Sequence, residues 1–219
     1  MCSPVNSFCG KKQKNLKKET LDNALEHLSQ EPKMKRLIGE FGTPDFNGVN
    51  DYFNALSKSI IYQQLSGKAA RTIYNRFLGL FDNNLPKPED VIKVDIPTLR
   101  SIGISQQKSN YISGLAEYFA NDCSTIDFES LSDIEVGNEL IQLKGIGQWT
   151  VDMFLMFTLH RTDILPVADL GIQKGIKILF NMKILPSKEY MIKKSKPWQP
   201  YRTVACWYLW RIVDDEIVW

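Results

Sequence analysis

Leu143-Lys144-Gly145-Ile146-Gly147-Gln148-Trp149-Thr150 is the stretch on which the reading of this chain turns. It follows a helical run at Gly137 to Gln142 and leads into the apolar segment Val151 to Leu159, so two glycines separate two helices. Glycine accepts backbone angles and close approaches that a side chain resists, and a turn built from it lets successive amides point outward at one phosphate. The N-terminus of the second helix adds partial positive charge. Ile146 turns inward as a staple between the helices. A Gly-x-Gly turn alone equally suits a plain connection between antiparallel helices.

Outward from this turn the apolar spacing stays helical, as in Leu21, Ala24, Leu25 and Leu28, or Ile60, Ile61, Leu65, Ala69 and Ile73. Strand alternation is scarce, so the spacing predicts an all-α fold of roughly ten helices. Breaks fall at Gly42 to Pro44, Asn83 to Pro88, Gly103, Gly145 to Gly147, Pro166 and Lys196 to Pro200. Residues 1–19 hold lysines at 11, 12, 14, 17 and 18 with little periodicity and read as a basic, flexible tail.

Composition narrows the chemistry. The apolar share of 43% over 219 residues is enough for a core, and 27 basic against 25 acidic residues leave too little net charge to steer the molecule onto a polyanion. Any affinity for a polyanion must then come from local geometry. No apolar run reaches the roughly 20 residues of a membrane span, and no signal-peptide core is visible, so an intracellular protein is expected. Cysteines 2, 9, 123 and 206 lack metal-ligand spacing and read as reduced thiols, while His27 and His160 stand too far apart in sequence to suggest a zinc site or a triad.

Pro166-Val167-Ala168-Asp169 precedes a new helix, Leu170 to Phe180. At that place an aspartate reads first as an N-cap, worth about 1 kcal/mol.

Leu-x-Gly-Ile-Gly-x-Trp-Thr, together with Tyr62-Gln63-Gln64-Leu65-Ser66, Gly103-Ile104-Ser105-x-x-Lys108 and the run Tyr201 to Trp210, resembles the helix-hairpin-helix DNA glycosylases, in the alkylation-repair branch called DNA-3-methyladenine glycosylase II. The resemblance covers about Tyr52 to Trp210. It implies a monofunctional hydrolase that cuts the N-glycosidic bond of alkylated purines, such as 3-methyladenine and 7-methylguanine, in base excision repair of double-stranded DNA. It makes Asp169 the catalytic carboxylate, a role compatible with the cap. Members often carry an acidic residue just before the aspartate, where this chain has Ala168. Bifunctional relatives carry a lysine where Trp149 stands, and tryptophan cannot form a Schiff base with the sugar.

The same resemblance places Trp149, Met153, Leu170 and Trp210 around the flipped base, with Met153 and Leu170 replacing aromatics of some relatives. Tryptophan faces suit a cationic base. It assigns DNA contacts to Gln63, Gln64, Ser66, Lys144, Gly145, Gly147 and Thr150, with Gln64 as the wedge that fills the vacated space. No cofactor is required, although the carbonyls of Ile141, Leu143 and Ile146 are candidate ligands for a sodium or potassium ion. Two helical lobes are expected, residues 51–164 and a discontinuous partner of 20–50 plus 165–219, in a monomer. A protein that binds damaged or abasic DNA without cutting it is the alternative that the hairpin alone also supports.

Overall fold

The computed structural model describes residues 16–46, 51–65, 67–121 and 126–214. Among them there are helices and turns and no strand, as the helical spacing requires. The helices are α1 (Lys18–Leu28), α2 (Pro32–Phe41), α3 (Tyr52–Tyr62), α4 (Gly67–Gly79), α5 (Pro88–Val91), α6 (Ile96–Ser101), α7 (Gln106–Asn121), α8 (Asp133–Leu140), α9 (Gln148–Phe157), α10 (Leu170–Leu179), α11 (Lys188–Ser195) and α12 (Arg202–Arg211), with a 3-10 turn at Lys196–Trp198. Lys18 and Glu19 belong to α1 and not to a flexible tail, because Leu21, Leu25 and Leu28 draw that helix onto the core. The first fifteen residues of the tail reading lie outside the described residues.

Local chemistry sets the helix starts. Glu31, Asp51, Asp95, Ser132, Asp169 and Ser187 each accept from the amide three residues on, satisfying a donor the helix itself leaves open. Pro32, Pro88 and Pro97 occupy first turns, where a missing N–H costs nothing. Gly42 and Gly103 take φ of 71° and 102° at the expected breaks.

The helices pack in two groups. α3 lies against α4, α7 and α9, with α5 and α6 on α7 and α8 on α9. α12 lies against α10, α2 and α1, and the 3-10 turn joins α11 to α1. α9 and α12 are apolar nearly all round and buried over Thr150–Met156 and Thr203–Trp210, so both serve as core helices. Polar ties fasten the N-terminal pair to the C-terminal helices: Tyr208 Oη donates to the Gly42 carbonyl at 2.7 Å, and Lys33 Nζ to the Leu179 carbonyl at 2.8 Å. The chain crossing between the groups is pinned to the start of α12. There Arg202 grips Asp163 through Nε–Oδ1 at 2.6 Å and Nη2–Oδ2 at 2.9 Å, while Thr203 Oγ1 accepts from Ile164 N at 3.0 Å.

Candidate active site and nucleic-acid interface

Asp169 sits where the two groups meet. A turn closed by its own amide on the Pro166 carbonyl, at 3.0 Å, sets it at the N-cap of α10, and its Oδ1 accepts from Ile172 N at 2.7 Å. The cap is therefore real. It is also only part of the arrangement, because Trp210 Nε1 from α12 donates to Oδ1 at 2.9 Å and Trp149 Nε1 from α9 donates to Oδ2 at 2.8 Å. Indole nitrogen only donates, so one helix from each group holds the group as an acceptor.

Two glycines one turn apart make this possible. A Cβ on Gly171 would lie 2.7 Å from Trp210 Cδ1 and 3.0 Å from Asp169 Oδ1, and one on Gly175 would strike the Leu209 carbonyl. Their bare faces let α12 ride close on α10 and deliver the indole to the carboxylate. The predicted pocket residues divide accordingly. Trp149 is half-buried and Trp210 buried at 6% exposure beside Phe157, Met153 at 3% belongs to the core, and Leu170 stands 52% exposed next to Asp169.

Sequence reasoning missed a second carboxyl. Asp152 lies one turn beyond Trp149 on α9, only 9% exposed, with Oδ1 accepting from Gln148 Nε2 at 2.8 Å. Burial, helped by the nearby charge of Asp169, pushes its pKa up to about 6 against the pull of that hydrogen bond. The available signal was an acidic residue inside the apolar run from Val151 to Leu159. Among the described residues no cluster of His, Cys, Asp or Glu fits a metal, and Cys206 is a free, buried thiol.

The hairpin joins α8 to α9. Ile146 N donates to the Leu143 carbonyl at 3.0 Å, and Ile146 is buried as the expected staple. Gly145 has φ of +91°, and a Cβ there would collide with the Tyr111 ring, so both backbone and packing demand glycine. Gly147 is the N-cap of α9 in extended backbone, exposed, with nothing within 4 Å of where a Cβ would be. No side chain caps α9. Gly147, Gln148 and Lys144 are exposed beside this uncapped first turn, at the positive end of the helix dipole. The Leu143 carbonyl, a candidate cation ligand with those of Ile141 and Ile146, already accepts that Ile146 amide.

Two of the expected DNA contacts have side chains engaged within the protein. Thr150 is 1% exposed, and its Oγ1 accepts from Gln63 Nε2 at 3.2 Å; the same Gln63 nitrogen donates to the Gly145 carbonyl at 2.9 Å. These side chains brace the hairpin against the end of α3. Gln64, in contrast, is exposed with φ of +57°. Ser66 lies outside the described residues.

Residues 57–200 match the HhH-GPD superfamily of base excision DNA repair proteins. The chain is 34% identical over 182 residues to DNA-3-methyladenine glycosylase 1 of Schizosaccharomyces pombe, covering 82% of this chain and 80% of that protein. Among solved structures it is similar to the 3-methyladenine DNA glycosylase of the same yeast in complex with abasic DNA, at 35% identity and a TM-score of 0.80 over 86% of this chain and 95% of that one. It is also similar to a DNA-3-methyladenine glycosidase from Bacillus halodurans, at 37% identity and a TM-score of 0.74 over 86% and 88% of the two chains. The chain that holds this glycine hairpin and this indole-bound carboxylate thus belongs to the HhH-GPD superfamily of base excision DNA repair proteins, alongside the DNA-3-methyladenine glycosylases.

Proposed function

We propose that this protein hydrolyses the N-glycosidic bond of alkylated purines in duplex DNA and leaves the strand intact. The observation that carries the reading is the Asp169 carboxylate, oriented by Trp149, Trp210 and the Ile172 amide. Those three donors use three of about four acceptor positions on an ionised carboxylate, two on Oδ1 and one on Oδ2, so the free position is on Oδ2. That oxygen faces the positive charge that builds on the sugar as the C1′–N bond breaks and the electron pair leaves with the base. At about 4 Å and an effective dielectric of about 20 the attraction is about 4 kcal/mol, roughly a thousandfold in rate when realised only at the transition state. Water oxygen then bonds to C1′, and its proton passes to the carboxylate or to solvent.

A purine that already carries positive charge leaves as a neutral base, so no strong acid is needed. Trp149 offers no amine, which favours plain hydrolysis over a lyase. The α9 amides take a backbone phosphate while Gln64 enters the space the base vacates, and the two helical groups form the lobes that flank the duplex. A sodium or potassium ion at the hairpin would share the Leu143 carbonyl with the Ile146 amide; this expectation rests on the resemblance.

The test is base release from methylated duplex, with abasic-DNA binding measured alongside and borohydride present in a parallel reaction. Free methylated purine, a strand that breaks only on later heat or alkali, and no trapped adduct are expected. Tight binding without release supports the non-catalytic alternative, and a trapped covalent adduct overturns the monofunctional assignment.

A further inference from the structure

Lys108, near the start of α7, sends its ammonium across to two backbone carbonyls, Ile61 at 2.8 Å and Gln63 at 2.6 Å. Both lie at the C-terminal end of α3, the negative end of its dipole, where a cation is best placed. Drawing the ammonium in has a desolvation cost, and burial lowers the Lys108 pKa accordingly. The other side of Gln63 is tied to the hairpin, through its Nε2 to the Gly145 carbonyl and to Thr150 Oγ1. Immediately after this doubly held residue comes Gln64, exposed in the left-handed region. For a non-glycine residue that pose costs about 1 kcal/mol or more and persists only where the surroundings over-determine it.

We infer that Lys108 and Gln63 form a brace that fixes Gln64 in its left-handed pose at a set distance from the hairpin, so that phosphate grip and base-gap insertion act as one rigid unit. Lys108 is a positioning residue in this arrangement. It touches neither base nor sugar, and acts through the main chain that carries Gln64. Rigidity matters because contacts at the phosphates drive an event elsewhere on the duplex only if the connection does not give. The inference rests on Gln64 filling the gap, and its test separates the two.

Single-turnover release of 7-methylguanine is measured from two duplexes, one with cytosine opposite the lesion and one with a tetrahydrofuran abasic analogue there, which leaves no orphaned partner to contact. Gln64→Ala and Lys108→Met are each expected to slow the cytosine duplex about tenfold more than the partnerless one, a difference of about 1.4 kcal/mol. Lys108→Arg, which keeps donors for both carbonyls, restores the wild-type ratio. If Lys108→Met slows both duplexes equally while Gln64→Ala still discriminates, the brace is overturned and gap filling stands. If Gln64→Ala fails to discriminate, gap filling falls and takes the brace with it. Should Lys108→Met not fold, Gln63→Glu sets an acceptor against the Gly145 carbonyl and puts the same question from the other end, with equal slowing of both duplexes again overturning the brace.

Discussion

The two oxygens of Asp169 are held differently, and the difference decides what a substitution there does. Oδ1 serves the Ile172 amide and Trp210, whereas Oδ2 serves Trp149 alone. In Asp169→Asn the amide oxygen can keep the Oδ1 contacts, but the amide nitrogen then faces the Trp149 N–H, donor against donor, at a cost of about 1 to 3 kcal/mol. An ordinary N-cap exchange would be nearly neutral. The expected outcome is a folded variant with a lowered melting temperature, abasic-DNA binding retained, and base release reduced about a thousandfold. Adding Trp149→Phe should recover stability without recovering release; a wild-type rate in folded Asp169→Asn would reduce the aspartate to a cap. Asp152 supplies a prediction in pH. Its pKa is about 6 in the folded protein against 3.8 for the free side chain, so between those values the folded state binds more protons and stability falls as pH rises. Asp152→Asn keeps an acceptor for Gln148 and removes that dependence. Its melting point should match wild type near pH 4 and exceed it near pH 8, the shift being worth at most about 3 kcal/mol. A constant difference across that range would show that burial of the charge is not the cause. At this scale the sequence made Asp169, Trp149 and Trp210 legible through their motifs. It did not show that the indoles present their N–H edges, because which edge of a ring meets a carboxylate depends on how closely α10 and α12 approach.

Each of the hairpin's two glycines answers to a different constraint, although they look alike in the sequence. Gly145 is required by its positive φ and by Tyr111, so Gly145→Ala should destabilise the fold by about 1 kcal/mol or more before any DNA is added. Gly147 is in extended backbone with open space around it. Gly147→Ala is therefore expected to melt like wild type and to weaken abasic-DNA binding about tenfold, about 1.4 kcal/mol, by holding a phosphate off the α9 amides. Fluorescence anisotropy with a short abasic duplex measures this, and unchanged affinity in the folded variant would remove the hairpin from the phosphate role. Element positions were largely legible, since the breaks at Gly42, Gly103 and Gly145 coincide with positive φ and that at Pro166 with the turn before α10. Two limits were physical. α5 and α6 have 4 and 6 residues, too short for apolar spacing to repeat, and so escape a periodicity argument. Gln63 and Thr150 bond to each other across 87 positions of sequence, a pairing that only the packing of α3 on α9 creates and that neither motif displays.

At the scale of the whole molecule, the site depends on helices drawn from both ends of the chain. Trp149 reaches Asp169 from the group around α3, and Trp210 reaches it from the group around α12, which is itself covered by α1 and α2. Nothing in local spacing says that α2 lies on α12 so much further along the chain, and a discontinuous lobe was an expectation of the resemblance alone. Met34 and Leu37 of α2 are wholly buried, and the hydroxyl of Tyr208 reaches back to the Gly42 carbonyl at 2.7 Å. If the N-terminal pair is an integral part of the core, truncating Met34 to alanine must affect the entire molecule. Removing that side chain should cost about 2 to 5 kcal/mol through lost contacts and a residual cavity. Tryptophan fluorescence reports chiefly on the other end of the chain, at Trp198, Trp207 and Trp210, with Trp149 beside the carboxylate, and helical circular dichroism reports on the average. Met34→Ala should move both signals together to a lower midpoint, with base release lost over the same temperature interval as Asp169 loses its indole partners. A biphasic transition, in which the fluorescence midpoint and the activity stay at wild-type values while part of the helical signal melts early, would mean that α1 and α2 fold as an appendage and that the α10–α12 pair holds the carboxylate without them.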